Sequence, residues 1–493
     1  MIRAFAALAC AGALLVAACA DEERVERPKH LLVVTVDTLR ADHLSLYGYV
    51  RGTSDREHAT QRGSLAGFTI DELARDGVVF ERAIAARGET FPSISTLFTG
   101  RTPLENCVVA NRDVLPQSAH TLAERLAERG FRTAAFTTNK LLVPQSGIEQ
   151  GFHTFYGAFG EHRDANVLGS ARKWISEQDL VDGPPLFVWV HLMGPHLPYE
   201  PPPVPTADGV DFARLYVDPS YVGGANGSRA FVDTAYKEGR ALSAADVERV
   251  VAAYDGEIAR IDHLVSHFLA FCSGEDAEQP VDLLARSLLV FTADHGEELH
   301  QRNRYWAHSK SVYDSVLHVP LVLRHPASIA SGRVSDTVAI EDVLPTALEL
   351  LGVPGSTSVH GRSLVARLDG STRASEERLA FSLWRDKIFT VCDGRWRLVW
   401  NPDGIEPDEE PPGAYPIPRI ALFDRNADPQ ELTDVSVAHP EVVARLRGEI
   451  ERWRAALKPC GAAPEPVSAE RMKALQDLGY AGEQDEAERD GKR

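Results

Sequence analysis

Basic residues are in the minority, 52 Lys and Arg against 71 Asp and Glu, giving a formal net charge of -19 over 493 residues. That balance excludes nucleic acid as a partner. Aromatics are not depleted at 8%, and 44% of the chain is hydrophobic, so disorder is excluded for the chain as a whole. Past the first twenty or so residues no apolar run is long enough to span a bilayer. There are only six cysteines, and none stands in a C-x-x-C or C-x-H arrangement, which excludes a zinc-thiolate site.

The leading segment carries a lone Arg3 and then an uncharged run from Ala4 to Ala18, too short for a membrane span and built like an export signal. Its end, Val16-Ala17-Ala18-Cys19, resembles the lipobox of bacterial lipoproteins, in which the cysteine is acylated and becomes the mature N-terminus. An ordinary signal peptide that contains a cysteine is the plainer alternative. On the first reading the protein is exported and held to a bacterial membrane, in the periplasm or at the cell surface, by its N-terminal lipid alone. Cys10 then leaves with the leader, Cys19 is lipidated, and Cys107, Cys272, Cys392 and Cys460 remain. One or two disulfides among these are open outside the cytoplasm, with no pairing readable.

An acidic, polar tether precedes His30–Val36, an apolar strand that runs straight into Asp37. A strand ending in a carboxylate puts that group at the carboxyl edge of a sheet, where open α/β folds collect ligands. Phe187–Leu192 repeats the pattern beside His191 and His196, and Ser287–Thr292 repeats it before Asp294 and His295. Helical periodicity lies between, at Ala119–Arg129, Ala244–Phe271 and Ile340–Leu351. The alternation predicts a mostly parallel α/β sheet flanked by helices on both faces. Ser382–Trp400 alternates like a small antiparallel sheet and Pro440–Leu457 reads as an amphipathic helix, which together suggest a small C-terminal α+β subdomain. The expected organisation is a leader over 1–19, a tether over 20–29, a catalytic domain over 30–355, a subdomain over 356–482 and a disordered tail over 483–493.

Three distant segments suit one metal site: Asp37 to Asp42, Thr90-Phe91-Pro92-Ser93, and Asp294-His295-Gly296-Glu297. Singly, each has a plain structural reading as a helix cap or helix start. Together, two carboxylates and an imidazole are hard or borderline ligands suited to one divalent ion, Ca, Mn, Mg or Zn. Pro92 is well placed as the first residue of a helix closing at Gly100, so Thr90 should lie just before a helix N-terminus, where anions bind.

The stretches DTLRADHLSLYGY from Asp37, TFPSISTLFTGR from Thr90, MGPHLPYEP from Met193, YDGEIARID from Tyr254, TADHGEEL from Thr292, WAHSKSVYDSVLHVP from Trp306 and DVLPTALELLGV from Asp342 resemble the sulfatase family of the alkaline phosphatase superfamily. The later segment Leu422 to Leu446 does so too. The resemblance implies an alkaline-phosphatase-like fold, an ester-hydrolase activity, and a metal held by Asp37, Thr90, Asp294 and His295. It implies Thr90 at the nucleophile position, His196 and His308 beside the leaving or bridging oxygen, and Lys310 on the substrate's anionic oxygens. Arg40 and Asn111 are further matches, with a surface ion pair and a turn residue as their alternatives.

The pattern departs from the family at telling positions. Its sulfatases oxidise a Cys or Ser inside C/S-x-P-S-R to formylglycine, whereas this chain has Thr90 there and Ile94 in place of the arginine. Threonine carries a methyl on Cβ and cannot become an aldehyde, so that mechanism is excluded. Thr38 replaces a second metal-binding Asp, and His295 replaces an Asn, as in phosphonate monoester hydrolases. An acid, Thr, Asp, His set resembles the one-metal lipoteichoic-acid synthases and phosphoethanolamine transferases. The second site of two-zinc phosphodiesterases is incomplete, since Met193-Gly194-Pro195-His196 is the nearest counterpart.

A threonine hydroxyl activated by a cation can attack phosphorus or sulfur in line, forming a covalent ester that water cleaves. Release from phosphothreonine is ordinary chemistry, while a threonine sulfate lacks the hemiacetal-type exit of formylglycine, which favours phosphate or phosphonate esters over sulfate esters. An envelope phospho-headgroup transferase and a catalytically silent surface binding protein are the alternatives. The expected partner is an anionic ester carried by a glycan or a lipid headgroup. Tyr199, Tyr216, Tyr221 and Trp306 either line a sugar-binding cleft or pack.

Overall fold

The structure is a computed structural model that describes residues 26–160, 162–201, 209–275, 280–303, 306, 308–355, 359–368, 378–405, 417–461 and 468–478. The leader, Cys19 and the 483–493 tail lie outside the described residues.

Eight strands form the main sheet: β1 (His30–Val36), β2 (Gly77–Ile84), β3 (Arg132–Thr137), β4 (Thr154–Gly157), β5 (Leu186–Leu192), β6 (Ser287–Ala293), β7 (His318–Arg324) and β8 (Gly332–Ala339). Their order is β4-β3-β5-β1-β6-β7-β2-β8. All neighbours are parallel except β7, which runs antiparallel to β6 and β2. The central strands β1, β5 and β6 are buried along their whole length, and their runs HLLVVTV, LFVWVHL and SLLVFTA are apolar on both faces, as strands covered by helices on two sides must be. The expected α/β sheet is therefore what the chain builds. Because β5 and β6 flank β1 on opposite sides, the chain leaves β1's carboxyl end in both directions, and a crevice opens there.

The helix Ala244–Cys272 packs beside that crevice and starts with a capping box in which Ser243 accepts the Asp246 N–H. Its buried Asp255 accepts hydrogen bonds from His43 Nδ1 at 2.7 Å and Tyr49 O–H at 2.6 Å, and Asp262 holds Arg62 at 3.0 Å and the Ile70 N–H at 2.8 Å. The YDGEIARID run thus fixes the segment that follows Asp37.

Strands β9 (Ala380–Trp384), β10 (Ile388–Cys392), β11 (Trp396–Trp400) and β12 (Ile420–Asp424) form a second, antiparallel sheet in the order β12-β11-β10-β9. The helix Pro440–Ala456 buries Leu446, Ile450 and Trp453 against Phe389, Val391 and Leu398, side chains that each contribute about 1.5–3 kcal/mol on leaving water. A disulfide joins Cys107, just past the Thr90 helix, to Cys460, while Cys272 and Cys392 are free and buried. Among the described residues no helix is long and apolar enough to cross a membrane.

Candidate active site

Asp37 leaves the end of β1 and His191 sits one residue before the end of β5, while Asp294 and His295 follow β6 directly. The parallel register, which pairs Thr35 with His191 and Val36 with Ala293, brings these groups to one edge. Thr38 then turns the chain with a φ of 54°, a left-handed conformation that a β-branched residue adopts only under constraint. The constraint is visible: its N–H reaches Asp294 Oδ1 at 3.2 Å and its carbonyl accepts the Tyr254 O–H at 2.7 Å.

Thr90 is the first residue of the helix Thr90–Thr99, not the residue before it, and Glu89 is the N-cap. The expectation of an anion cradle of free N–H groups at this helix start is corrected by its chemistry. Pro92 has no N–H, and Asn111 Oδ1 takes the Phe91 N–H at 2.9 Å, so little beyond the Thr90 N–H is left for an anion. Asn111 is buried and anchors the start of the Thr90 helix; its own N–H rests on Glu89 Oε2 at 3.0 Å.

Thr90 Oγ1 stands 3.4 Å from Asp37 Oδ2 and 3.4 Å from His295 Nε2. His295 Nε2 is 3.6 Å from Asp294 Oδ2 and 3.9 Å from Asp37 Oδ1. His295 Nδ1 bonds the Gly296 carbonyl at 2.9 Å, which puts its proton on Nδ1 and a lone pair on Nε2. Gly296 is obligatory, since a Cβ there would collide with the Ser315 carbonyl. The rings of His308 and His295 lie 4.5 Å apart and those of His308 and His196 5.2 Å apart, so both flanking histidines border the same space. Lys310 is half-buried in the turn that the Ser311 N–H closes onto the His308 carbonyl at 2.9 Å.

Two participants escaped the sequence reading. His191 Nε2 lies 3.4 Å from Asp37 Oδ2, and Asp37, His191 and Asp294 each offer an atom within 4.8 Å of one another. Its Nδ1 is held at 2.8 Å by Thr35 Oγ1, which also accepts the Trp189 indole N–H at 2.9 Å. Asn139, in the loop after β3, donates to Asp37 Oδ2 at 2.6 Å. The available signal for His191 was a histidine inside an otherwise apolar strand whose register partner is two residues from Asp37. Asn139 had none.

Three buried atoms in this cluster, Asp37 Oδ1, Asp294 Oδ2 and His191 Nε2, have no hydrogen-bond partner. Orphaned buried polar atoms are costly, and donor atoms sharing one small divalent ion at about 2.1 Å in a tetrahedron stand about 3.4 Å apart. The observed 3.4–3.9 Å spacings and the donor chemistry both fit such an ion. Burial, reinforced by repulsion from Asp37, pushes the Asp294 carboxyl well up. The Asp37 carboxyl is held down: burial opposes this, but the neighbouring imidazoles of His191, His196 and His295 prevail. Burial pushes His196 down to about 4. His308 goes the other way: burial opposes, yet the Glu297 carboxylate bonded to its Nδ1 at 2.9 Å raises it.

Arg40 is itself buried, while its ion-pair partner Asp42 is exposed. The guanidinium grips both oxygens of Asp42 at 2.8 and 2.7 Å and the Glu297 carbonyl at 3.0 Å, and so ties the segment after β1 to the segment after β6. Tyr199 and Trp306 are buried, which decides for packing; Tyr216 O–H bonds the Gly52 carbonyl at 3.2 Å and Tyr221 O–H bonds Asp246 at 2.6 Å.

A mostly parallel sheet with a carboxylate-imidazole cluster at its switch point, a helix-borne hydroxyl beside it and a small antiparallel sheet behind defines an alkaline-phosphatase-like protein. The sulfatase family profile matches residues 29–353, and the chain belongs to the sulfatase family. Arylsulfatase K of Gallus gallus is 29% identical over 214 residues, 41% of this chain and 36% of that protein, so the chain matches about a third of the length of this curated relative. The phosphonate monoester hydrolase of Agrobacterium radiobacter superposes with a TM-score of 0.63 at 21% identity, covering 87% of this chain and 96% of that one. A protein solved with its substrate D-glucosamine-2-N,6-O-disulfate superposes with a TM-score of 0.66 at 15% identity, covering 87% and 98%. At these identities the superpositions speak for the fold.

Proposed function

We propose that this protein is a metal-dependent hydrolase of phosphate, phosphonate or sulfate esters that uses Thr90 as its nucleophile. The observation that carries the reading is Thr90 Oγ1 at 3.4 Å from both Asp37 Oδ2 and His295 Nε2, over a set of orphaned donors. Asp37, Asp294, His295 and His191, with Thr90, would hold the ion. Two imidazoles among the donors favour Zn or Mn over Ca or Mg. When bound, the ion supplies charge that lowers the threonine hydroxyl's pKa and offsets negative charge on the substrate.

The chain's own groups do the rest. Thr90 Oγ1, its proton shed to solvent, forms a bond to phosphorus or sulfur as the bond to the leaving oxygen breaks. His308, kept protonated by Glu297, gives that oxygen its proton. His196, kept neutral by burial, stands across from it, so the two imidazoles divide acid and base work as groups with opposed shifts do. Lys310 meets the anionic oxygens. Water then attacks the same phosphorus or sulfur, giving a proton to His196, as the bond to Thr90 Oγ1 breaks and Oγ1 departs as the leaving oxygen. The leader ending in Cys19 supports export and lipid anchoring, and the Cys107–Cys460 bridge is in keeping with an oxidising compartment.

The test is steady-state hydrolysis of matched p-nitrophenyl sulfate, phosphate, phosphodiester and phosphonate esters after reloading with Zn, Mn, Mg or Ca, beside Thr90→Ala. Metal-dependent turnover of phosphorus esters that drops at least about a thousandfold in the variant is the expected result. Turnover that survives Thr90→Ala would move the nucleophile to water; silence on every ester would favour a transferase or a binding protein.

A further inference from the structure

The two sheets are joined by more than apolar packing. Arg397 on β11 is fully buried and bonds Glu431 at 2.7 Å and Asp314 at 2.6 Å, while Arg425, just past β12, reaches Asp314 at 3.0 Å. Glu431 also accepts the Asp314 N–H at 2.8 Å. Asp314 lies in the segment that starts at His308 and runs into β7. The second sheet therefore grips the far end of the stretch that carries His308 and Lys310.

Arg302 extends this grip to the segment after β6. Its side chain is 4% exposed and donates to the Gln430 carbonyl at 2.8 Å, to Glu298 at 2.9 Å and to Ser315 Oγ at 3.1 Å, with the guanidinium 3.9 Å from the Tyr313 ring centroid. Glu298 is buried and accepts the Ser311 hydroxyl at 2.7 Å. Arg302 and Glu431 both stand at a φ of 55°, a left-handed conformation that a non-glycine residue keeps only when its surroundings impose it. One guanidinium thus meets three separate parts of the chain.

The link ends beside the acid. Glu298 follows Glu297, whose carboxylate holds His308 Nδ1 at 2.9 Å, so a displacement of Glu298 is felt at the group that orients His308. Apolar packing alone would keep the two sheets in contact; directed bonds from a rigid guanidinium also fix how the segment lies. A misplacement of about 1 Å can cost about 100-fold in rate.

We propose that Arg302 is a positioning residue that locks the segment from His308 to Ser315 between Glu298 and the second sheet, and so holds His308 at the leaving oxygen. The second sheet then takes part in catalysis without touching the substrate. The role given to His308 rests on the hydrolase reading; the lock itself does not.

The test is the ratio of kcat/KM between the p-nitrophenyl and phenyl esters of one acid that the wild type hydrolyses, because p-nitrophenolate leaves without a proton and phenolate needs one. Arg302→Gln should raise that ratio about 30-fold, Arg302→Lys about fivefold, and Glu431→Gln in the same direction. In a His308→Ala background, Arg302→Gln should change the ratio less than about twofold. A residue that only stabilised the fold would lower both esters alike and would add its effect to that of His308→Ala; either result overturns the positioning role. Should Arg302→Gln fail to fold, Arg302→Lys and Glu431→Gln carry the same comparison. Hydrogen exchange of residues 308–317 in the metal-loaded full chain reads the lock without turnover. Faster exchange in Arg302→Gln and Glu431→Gln supports the lock even where no ester turns over, an outcome that removes the hydrolase reading alone. Unchanged exchange in both variants overturns the lock whatever esters are hydrolysed.

Discussion

Replacing His191 with alanine should remove the bound ion while leaving the sheet intact. The imidazole Nε2 is buried with no partner 3.4 Å from Asp37 Oδ2, and its Nδ1 is locked at 2.8 Å on Thr35 Oγ1. Losing an outer partner of a metal-binding histidine costs about 10–100-fold in affinity, so losing the ligand itself should cost at least about 100-fold. With free ion at about 100 times the wild-type Kd, binding stabilises the fold by about 2.7 kcal/mol; after a hundredfold loss the same ion concentration gives about 0.4 kcal/mol. Chelator competition gives the Kd, elemental analysis the stoichiometry, and urea denaturation with and without ion the stabilisation. Thr35→Val, which removes the Nδ1 partner but keeps the ring, should fall between, about tenfold weaker. A His191→Ala protein with native circular dichroism and unchanged ion affinity would refute the assignment and leave Asp37, Thr90, Asp294 and His295 as the ligand set.

Two further outcomes concern the fold. The Cys107–Cys460 bridge closes a span of 353 residues, so the Cys107→Ser/Cys460→Ser double variant should lose about 3–5 kcal/mol in chemical denaturation; a loss under about 1 kcal/mol would show that the native contacts alone hold the C-terminal segment. Glu341 is buried, and burial together with repulsion from Asp342 raises its carboxyl to about 8. A carboxyl raised in the folded state carries stability that is present below the unfolded value and is lost as pH climbs through the folded one. Glu341→Gln should therefore gain nothing at pH 4, gain stability progressively from about pH 4.5 to 8, and level off above, by at most a few kcal/mol. A gain independent of pH would place the strain elsewhere.

The central strands were legible because β1, β5 and β6 are continuous apolar runs, and burial on both faces leaves no other composition open to them. The strands away from the centre carry weaker signals. β2 places Glu81 and Arg82 in its middle, where its pairing with β7 and β8 shifts register, and β8 reads GRVSDTVA with an exposed first half. The second sheet showed its first three strands by alternation, and the fourth lies beyond an intervening segment. Asp37, Asp294 and His295 were legible as strand-end residues. His191 reads from sequence only as a strand residue, because its place beside Asp37 depends on which strand lies next to β1, and that is fixed by topology. Asn139 reaches Asp37 from a loop about a hundred residues along the chain, and no local pattern marks such a residue.

The charge of the site bears on which ester it takes. Where sulfatases have a further carboxylate, this chain has Thr38, and the added donors His191 and His295 bring imidazoles, which carry no charge when they bind a metal. On the proposed reading, Asp37 and Asp294 would balance one divalent ion, and a deprotonated Thr90 would leave one negative charge for Lys310 to offset. His308 brings no surplus either, since Glu297 pairs with it at 2.9 Å. A singly charged ester enters such a site with little repulsion, whereas a phosphate monoester, with a second pKa near 6, arrives carrying close to two charges at pH 8. The expectation is that p-nitrophenyl phosphodiester and phosphonate monoesters exceed the phosphate monoester in kcat/KM at pH 8, and that the gap narrows toward pH 6 as the phosphate monoester takes up a proton. Paired pH profiles on the same metal-loaded preparation measure this. A phosphate monoester that wins at pH 8, with a rate that falls on acidification, would mean that more positive charge faces the substrate than Lys310 supplies, and Arg87, fully buried with Nε and Nη1 unpartnered just before the Thr90 helix, would be the residue to examine next.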